Sequence, residues 1–149
     1  MTNIRLVHRD SLACEPILRA LPNGDLIIIS QCKDVWEPAP GNRVLIFRSK
    51  DYGVTWSEGI DICPEVKKAV YCTEVFINGD KIEAYLTLHN GKFLDFEHCV
   101  YVSNDNGNTF FRKEVINLKG FTFFRGVFRT YDGLVAQAFQ NYPVEHDDI

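Results

Sequence analysis

The chain has 149 residues, enough for one domain with a core of its own. It carries 16 Lys and Arg against 20 Asp and Glu, a net charge of −4, and no basic run longer than Lys67-Lys68, which argues against a nucleic-acid partner. No apolar stretch nears the roughly 20 residues of a membrane helix, and Met1-Thr2-Asn3-Ile4-Arg5 lacks the apolar core of a leader peptide. No membrane partner is expected, and the cytoplasm is the default compartment.

Residues 4–8 alternate apolar and polar, the pattern of a short strand. Residues 16–21 read as the first strand of a repeating unit. Pro22-Asn23-Gly24-Asp25 is a hairpin turn, since Asn-Gly accepts positive φ readily. Residues 26–30 form a nearly continuous apolar strand, as expected when both faces are covered. Residues 31–42 are a long loop with Trp36, Pro38, Pro40 and Gly41. Residues 43–48 are a third strand, and Trp56 is expected to open a fourth.

The second unit repeats that order. Residues 69–77 are a strand, Asn78-Gly79-Asp80 a turn, and residues 81–88 a strand with Ile82, Ala84, Leu86 and Leu88 alternating. Residues 89–97 are a loop, residues 98–102 a third strand, and residues 110–115 the return. A third unit covers residues 123–130, a Tyr131-Asp132-Gly133 turn and residues 134–139. The turns begin at Asn23, Asn78 and Asp132, a period of 54 to 55 residues. Repeats of this size, with four strands each, are in the range of propeller blades.

Between strands three and four of the first two units stands the same octet. Ser49-Lys50-Asp51-Tyr52-Gly53-Val54-Thr55-Trp56 and Ser103-Asn104-Asp105-Asn106-Gly107-Asn108-Thr109-Phe110 both read S-x-D-x-G-x-T-aromatic, 54 residues apart. A short carboxylate can accept backbone N–H groups just ahead of it, and the glycine supplies positive φ. A third octet at this spacing would fall near residue 157, so the chain reads as two and a half units of a longer array. Open sheet edges would then leave room for self-association.

The octet resembles the Asp box, or bacterial neuraminidase repeat, of the sialidase-like β-propellers. The resemblance implies an all-β fold, a partial propeller of antiparallel four-stranded blades. Blade one would cover about 13–62, blade two about 69–117 and an incomplete third about 121–149, from an expected six. It also implies that the box carboxylates are structural and that chemistry sits on the opposite face, near the axis. The implied function is that of a fragment of an exo-glycosidase acting on a non-reducing-end sugar, inactive by itself because the nucleophile and the other arginines belong to later blades, with a carbohydrate as partner. The alternative is a non-catalytic propeller that binds a glycan or a protein.

On that face the family's acid/base aspartate points to Asp34 first and Glu37 second, because glycoside hydrolysis needs a proton donor at the leaving oxygen. Glu15, Arg19, Glu74 and Arg125 lie on or near first strands, as pocket residues or as internal ion pairs such as Arg19 with Glu74. His89 and Asp95 flank the second loop, where a histidine beside a carboxylate can shuttle protons. Trp36, Phe93 and Phe96 can stack on a sugar or pack the loops. The family's first inner strand begins Arg-Ile-Pro, whereas here it reads Cys14-Glu15-Pro16, so the arginine for a sialic-acid carboxylate is missing. The five cysteines show no C-x-x-C and read as reduced, mostly buried apolar groups. The four histidines show no zinc spacing, and no metal or cofactor is expected.

Overall fold

The computed structural model describes residues 4–92, 95–116 and 121–142. Among these there is no helix. Strands β1 (Ala13–Ala20), β2 (Leu26–Cys32), β3 (Arg43–Ser49) and β4 (Ile60–Asp61) form one antiparallel sheet in chain order. Strands β5 (Ala69–Asn78), β6 (Lys81–His89), β7 (Glu97–Ser103) and β8 (Phe111–Ile116) form a second, and β9 (Phe121–Arg129) with β10 (Val135–Tyr142) a third. Among the described residues no sheet closes on itself.

Register shows that the sheets are copies. Leu26 pairs with Ser49 and Ile82 with Ser103, so each second strand meets the serine that opens its octet. Each first strand carries a bulge one residue before an equivalent position. The regular ladder resumes at Ile17, Glu74 and Gly126, and the extra residues before it include Pro16, Thr73 and Arg125. Bulges re-aim side chains, and here they do so at the same height in all three sheets.

Alternation then decides which side chains meet. Ile27, Ile29, Val44 and Ile46 turn one face of sheet one towards sheet two. Ala84, Leu86, Cys99 and Tyr101 meet them from the other side, all at most 4% exposed. The opposite face of sheet two carries Phe76, Tyr85, Val100 and Val102, packed against Val127 of sheet three. Sheets one and two therefore share a dry core of the kind that carries most folding free energy.

Polar clamps cross the junctions. Arg48 donates to Asp25 Oδ2 at 2.8 Å and to the Asn106 carbonyl of the second octet. Arg129 donates to Asn78 Oδ1 at 2.6 Å. Arg43 gathers the connection between sheets one and two. It donates to both oxygens of Asp61 (2.8 and 3.3 Å) and to the carbonyls of Cys63 (2.6 Å), Val66 (3.0 Å) and Lys68 (3.1 Å).

The octets are equivalent turns. Ser49 Oγ donates to Asp51 Oδ1 and accepts from the Gly53 N–H, both at 2.8 Å. Asp51 accepts from the Thr55 N–H (2.8 Å) and hydroxyl (2.7 Å). Ser103, Asp105, Gly107 and Thr109 repeat all four bonds at 2.6–2.9 Å. The Thr55 bonds hold the Asp51 carboxyl down at about 2, and those from Ser103 and Thr109 do the same for Asp105. Both carboxylates are thus ionised turn organisers.

Two expectations are corrected. Residues 4–8 form no strand. They cross the outer face of sheet one, where Val7 packs on Cys32, Leu45 and Phe47, His8 stacks on Phe47 and Arg5 donates to the Val54 carbonyl at 2.7 Å. A period-2 pattern marks a chain with one wet and one dry side, and a segment lying on a sheet meets that demand without pairing. Trp56 does not open β4, which is only Ile60–Asp61. The Trp56 ring instead folds back over the turn, 3.8 Å from a Cβ built on Gly53. The five cysteines are all free, and four are buried.

Candidate functional site

Antiparallel order puts the hairpin turns and octets at one end of the sheets. The loops after β2 and β6 lie at the other. These two loops touch, because a Cβ on Gly91 (φ +88°) would lie 2.7 Å from the Pro40 nitrogen. The contact admits no side chain, and the backbone conformation favours glycine for its own reasons. Most of the candidate residues lie at or near this loop end.

Asp34 organises its own loop. Its Oδ1 accepts the Val35 N–H at 2.8 Å and its Oδ2 the Gly41 N–H at 3.0 Å. Asn42, fully buried, finishes the task by accepting from the Ala39 N–H and donating to the Lys33 and Trp36 carbonyls. Glu37 is placed differently. It is half-buried and accepts from the Cys14 thiol at 3.4 Å, which brings it to the start of β1 beside Glu15. Burial first, then the Glu37 contact, pushes the Cys14 thiol up to about 12. Cys14 is therefore a protonated donor at neutral pH and no nucleophile.

Glu15 stands on the β1 bulge with a left-handed backbone (φ +49°). Together with Pro16, Ile17, Cys72 and Thr73 it lines an open cavity of about 230 Å³ between the bulges of β1 and β5. Arg19 and Glu74 meet across the same junction. The guanidinium donates to Glu74 Oε1 at 2.6 Å and to the Val75 carbonyl at 2.8 Å. The pair spans two sheets, and the Glu74 side chain is only 12% exposed. Arg125 sits on β9 at the bulge position, with its side chain outside the described residues. Phe93 also lies outside them.

The other candidates stand apart. Trp36 is 65% exposed at the tip of the first loop. Asp95 is a surface partner of Lys68 at 2.8 Å. His89 is buried, and its ring faces Tyr71 and Phe96 at 6.2 Å each. Its Nδ1 accepts the Gly91 N–H at 3.0 Å, so the neutral ring carries its proton on Nε2. Burial pulls its pKa from 6.5 down to about 4. At neutral pH this ring fixes the second loop and carries no charge.

That depressed pKa has a measurable consequence. As pH falls from 7 to 5 the unfolded chain protonates at His89 and the folded chain does not, so stability declines with pH. A loss of about 2 kcal/mol over that window is expected in urea unfolding, relative to a His89→Gln variant lacking the group. The octet carboxylates do not confuse the result. Their contribution is lost only as pH falls from about 4 towards 2. Identical pH slopes in the two proteins would refute the assignment.

Cys72 and Thr73 were missed as lining residues. Neither leaves a signal in the sequence, because a buried cysteine and a bulge threonine both look like ordinary strand residues. Among the described residues, no group of three or more His, Cys, Asp and Glu is arranged to hold a metal ion. No protein-family model matches this chain, and no curated protein matches it.

Proposed function

We propose that this chain is part of a sialidase-like β-propeller whose loop end handles a terminal sugar as an exo-glycosidase. The supporting observation is the octet. Two turns with the same four bonds close the third strand of consecutive antiparallel sheets, and the sheets repeat in register down to their bulges. The sugar would enter at the cavity between the β1 and β5 bulges. Glu37 is the better proton donor of the two loop acids, because both Asp34 oxygens already accept backbone N–H groups. Glu15 lines this mouth and Glu37 holds the adjacent Cys14, acidic surroundings that disfavour a sialic-acid carboxylate and favour a neutral sugar.

Turnover of a panel of neutral aryl glycosides by a full-length version carrying the remaining blades tests the reading. Glu37→Gln is expected to lower kcat by at least about 100-fold, the usual reach of a general acid, without changing the melting temperature. Asp34→Asn is expected to lower stability as well, since one loop N–H loses its carboxylate. A Glu37→Gln variant as active as the parent would end the hydrolase reading. A second reading, a propeller that binds a glycan without cleaving it, is favoured by the commitment of Asp34 to its own loop. Binding on a glycan array without turnover of any bound sugar would select it.

A further inference from the structure

Four Asn-Gly pairs stand in this chain, at Asn23-Gly24, Asn78-Gly79, Asn90-Gly91 and Asn106-Gly107. Such a pair can react with itself. The glycine N–H loses its proton to solvent hydroxide, and the nitrogen attacks the asparagine Cγ. The Cγ–Nδ2 bond breaks, and Nδ2 takes a proton from water and leaves as ammonia. The cyclic succinimide then adds water. Opening at Cγ leaves an aspartate. Opening at the backbone carbonyl leaves an isoaspartate, whose main chain runs through Cβ. Glycine has no side chain to hinder the attack, so chemistry alone does not separate the four pairs.

The fold separates them by what holds the glycine nitrogen. The Gly24 N–H donates to the Leu21 carbonyl at 2.9 Å, that of Gly91 to His89 Nδ1 at 3.0 Å and that of Gly107 to Ser103 Oγ at 2.7 Å. Each nitrogen must give up that bond before it can turn on the side chain. Two of the asparagines are tied as well. Asn23 Oδ1 accepts from the Asp25 N–H at 3.1 Å and Asn90 Oδ1 from the Lys92 N–H at 2.9 Å, so both side chains reach past the glycine. Gly91 and Gly107 are also buried, the first against Pro40 and the second against Ile46 and Ile82.

Asn78-Gly79 differs on every count. Both residues are exposed, and a Cβ on Gly79 would meet nothing within 4 Å. Gly79, at φ +61°, opens the two-residue loop between the paired Asn78 and Lys81. Among the described residues its N–H has no acceptor. Asn78 Oδ1 accepts from the Arg129 guanidinium of sheet three at 2.6 Å. A cationic donor on that oxygen draws electrons from Cγ and stabilises the oxyanion formed as the nitrogen adds. We propose that Asn78 is the site of spontaneous deamidation in this chain, with Arg129 as the oxyanion donor. The modification acts on the junction of sheets two and three. Opening at Cγ sets a carboxylate against Arg129 and turns this clamp into an ion pair. Opening at the backbone carbonyl adds a methylene to the main chain of the turn and loosens the end of the β5–β6 ladder. This proposal is independent of any activity towards sugars.

Peptide mapping by mass spectrometry, after the purified chain has stood in mildly alkaline buffer, tests it. In the folded chain Asn78 is expected to lose ammonia at least about tenfold faster than Asn23, Asn90 or Asn106. In concentrated urea the four rates are expected to converge, because the fold no longer distinguishes the pairs. Arg129→Gln is expected to slow the folded-state reaction at Asn78 about tenfold, and Arg129→Lys, which keeps a cation, to slow it less. Arg129 is exposed, and circular dichroism checks that both variants remain folded. If Arg129→Gln loses its β signature, Arg129→Lys is read instead. An intact Asn78, another pair reacting as fast in the folded chain, or the same ranking in urea would overturn the site. A variant that reacts at Asn78 as fast as the parent, or faster, would overturn the role of Arg129.

Discussion

Replacing Arg43 with alanine is expected to lower the stability of the fold by about 3 kcal/mol, the scale for breaking a mostly buried ion pair from one side. The Arg43 side chain is 13% exposed, and it supplies five hydrogen bonds to four residues of the connection between sheets one and two. Its removal leaves the Asp61 carboxylate and three carbonyls without their donor, in a place where water reaches them poorly. Unsatisfied groups cost more than the bonds themselves are worth, because their desolvation is no longer offset. Arg43→Lys should recover less than half of the loss. An ammonium has three donors and no planar fork, so it cannot serve Asp61 and three carbonyls together. Urea unfolding decides the matter. A loss below about 1 kcal/mol for the alanine variant would mean that the connection is held by packing alone.

Arg43 also shows what the amino-acid sequence hides. It reads as a polar residue at the start of an apolar strand, and its partners lie 18 to 25 residues ahead. Three of them are backbone carbonyls, which leave no mark on residue type. Asp34 hides in the same way. A loop acid looks like a candidate for chemistry, and only the position of two backbone N–H groups shows that its oxygens are engaged. By contrast, the hairpin turns and both octets are legible because each rests on local rules. Asn-Gly and Gly at positive φ, and an aspartate reaching four residues forward, need no distant partner. The strand order followed from those turns.

What was not legible is what tertiary contact decides. The pattern in residues 4–8 is compatible with a strand or with a segment draped over a sheet, and only the outer face of sheet one selects between them. The two-residue length of β4 and the bulges in β1, β5 and β9 belong to the same class. The Arg19–Glu74 contact was legible as one of two alternatives. Both residues fall on first strands, and opposite charges there need either each other or a polar pocket.

The two octets, identical in bonding, are expected to differ sharply in tolerance to a methyl group. Gly53 and Gly107 both have positive φ, +84° and +83°, so alanine at either site carries a backbone cost of about 1–2 kcal/mol. Their surroundings differ. A Cβ on Gly53 would meet Leu26 and Trp56 at 3.8 Å, which is ordinary contact. A Cβ on Gly107 would lie 3.0 Å from both Ile46 and Ile82 and 3.2 Å from the Arg48 guanidinium. The second octet is thus wedged into the junction of sheets one and two, where Arg48 also donates to the Asn106 carbonyl. Gly107→Ala is therefore expected to cost about 1–3 kcal/mol beyond Gly53→Ala, the penalty of an overpacked core. Paired thermal melts of the two variants measure the difference directly. Equal losses would mean that the junction yields to the added carbon, and that the second octet is a surface turn like the first rather than the joint between two sheets.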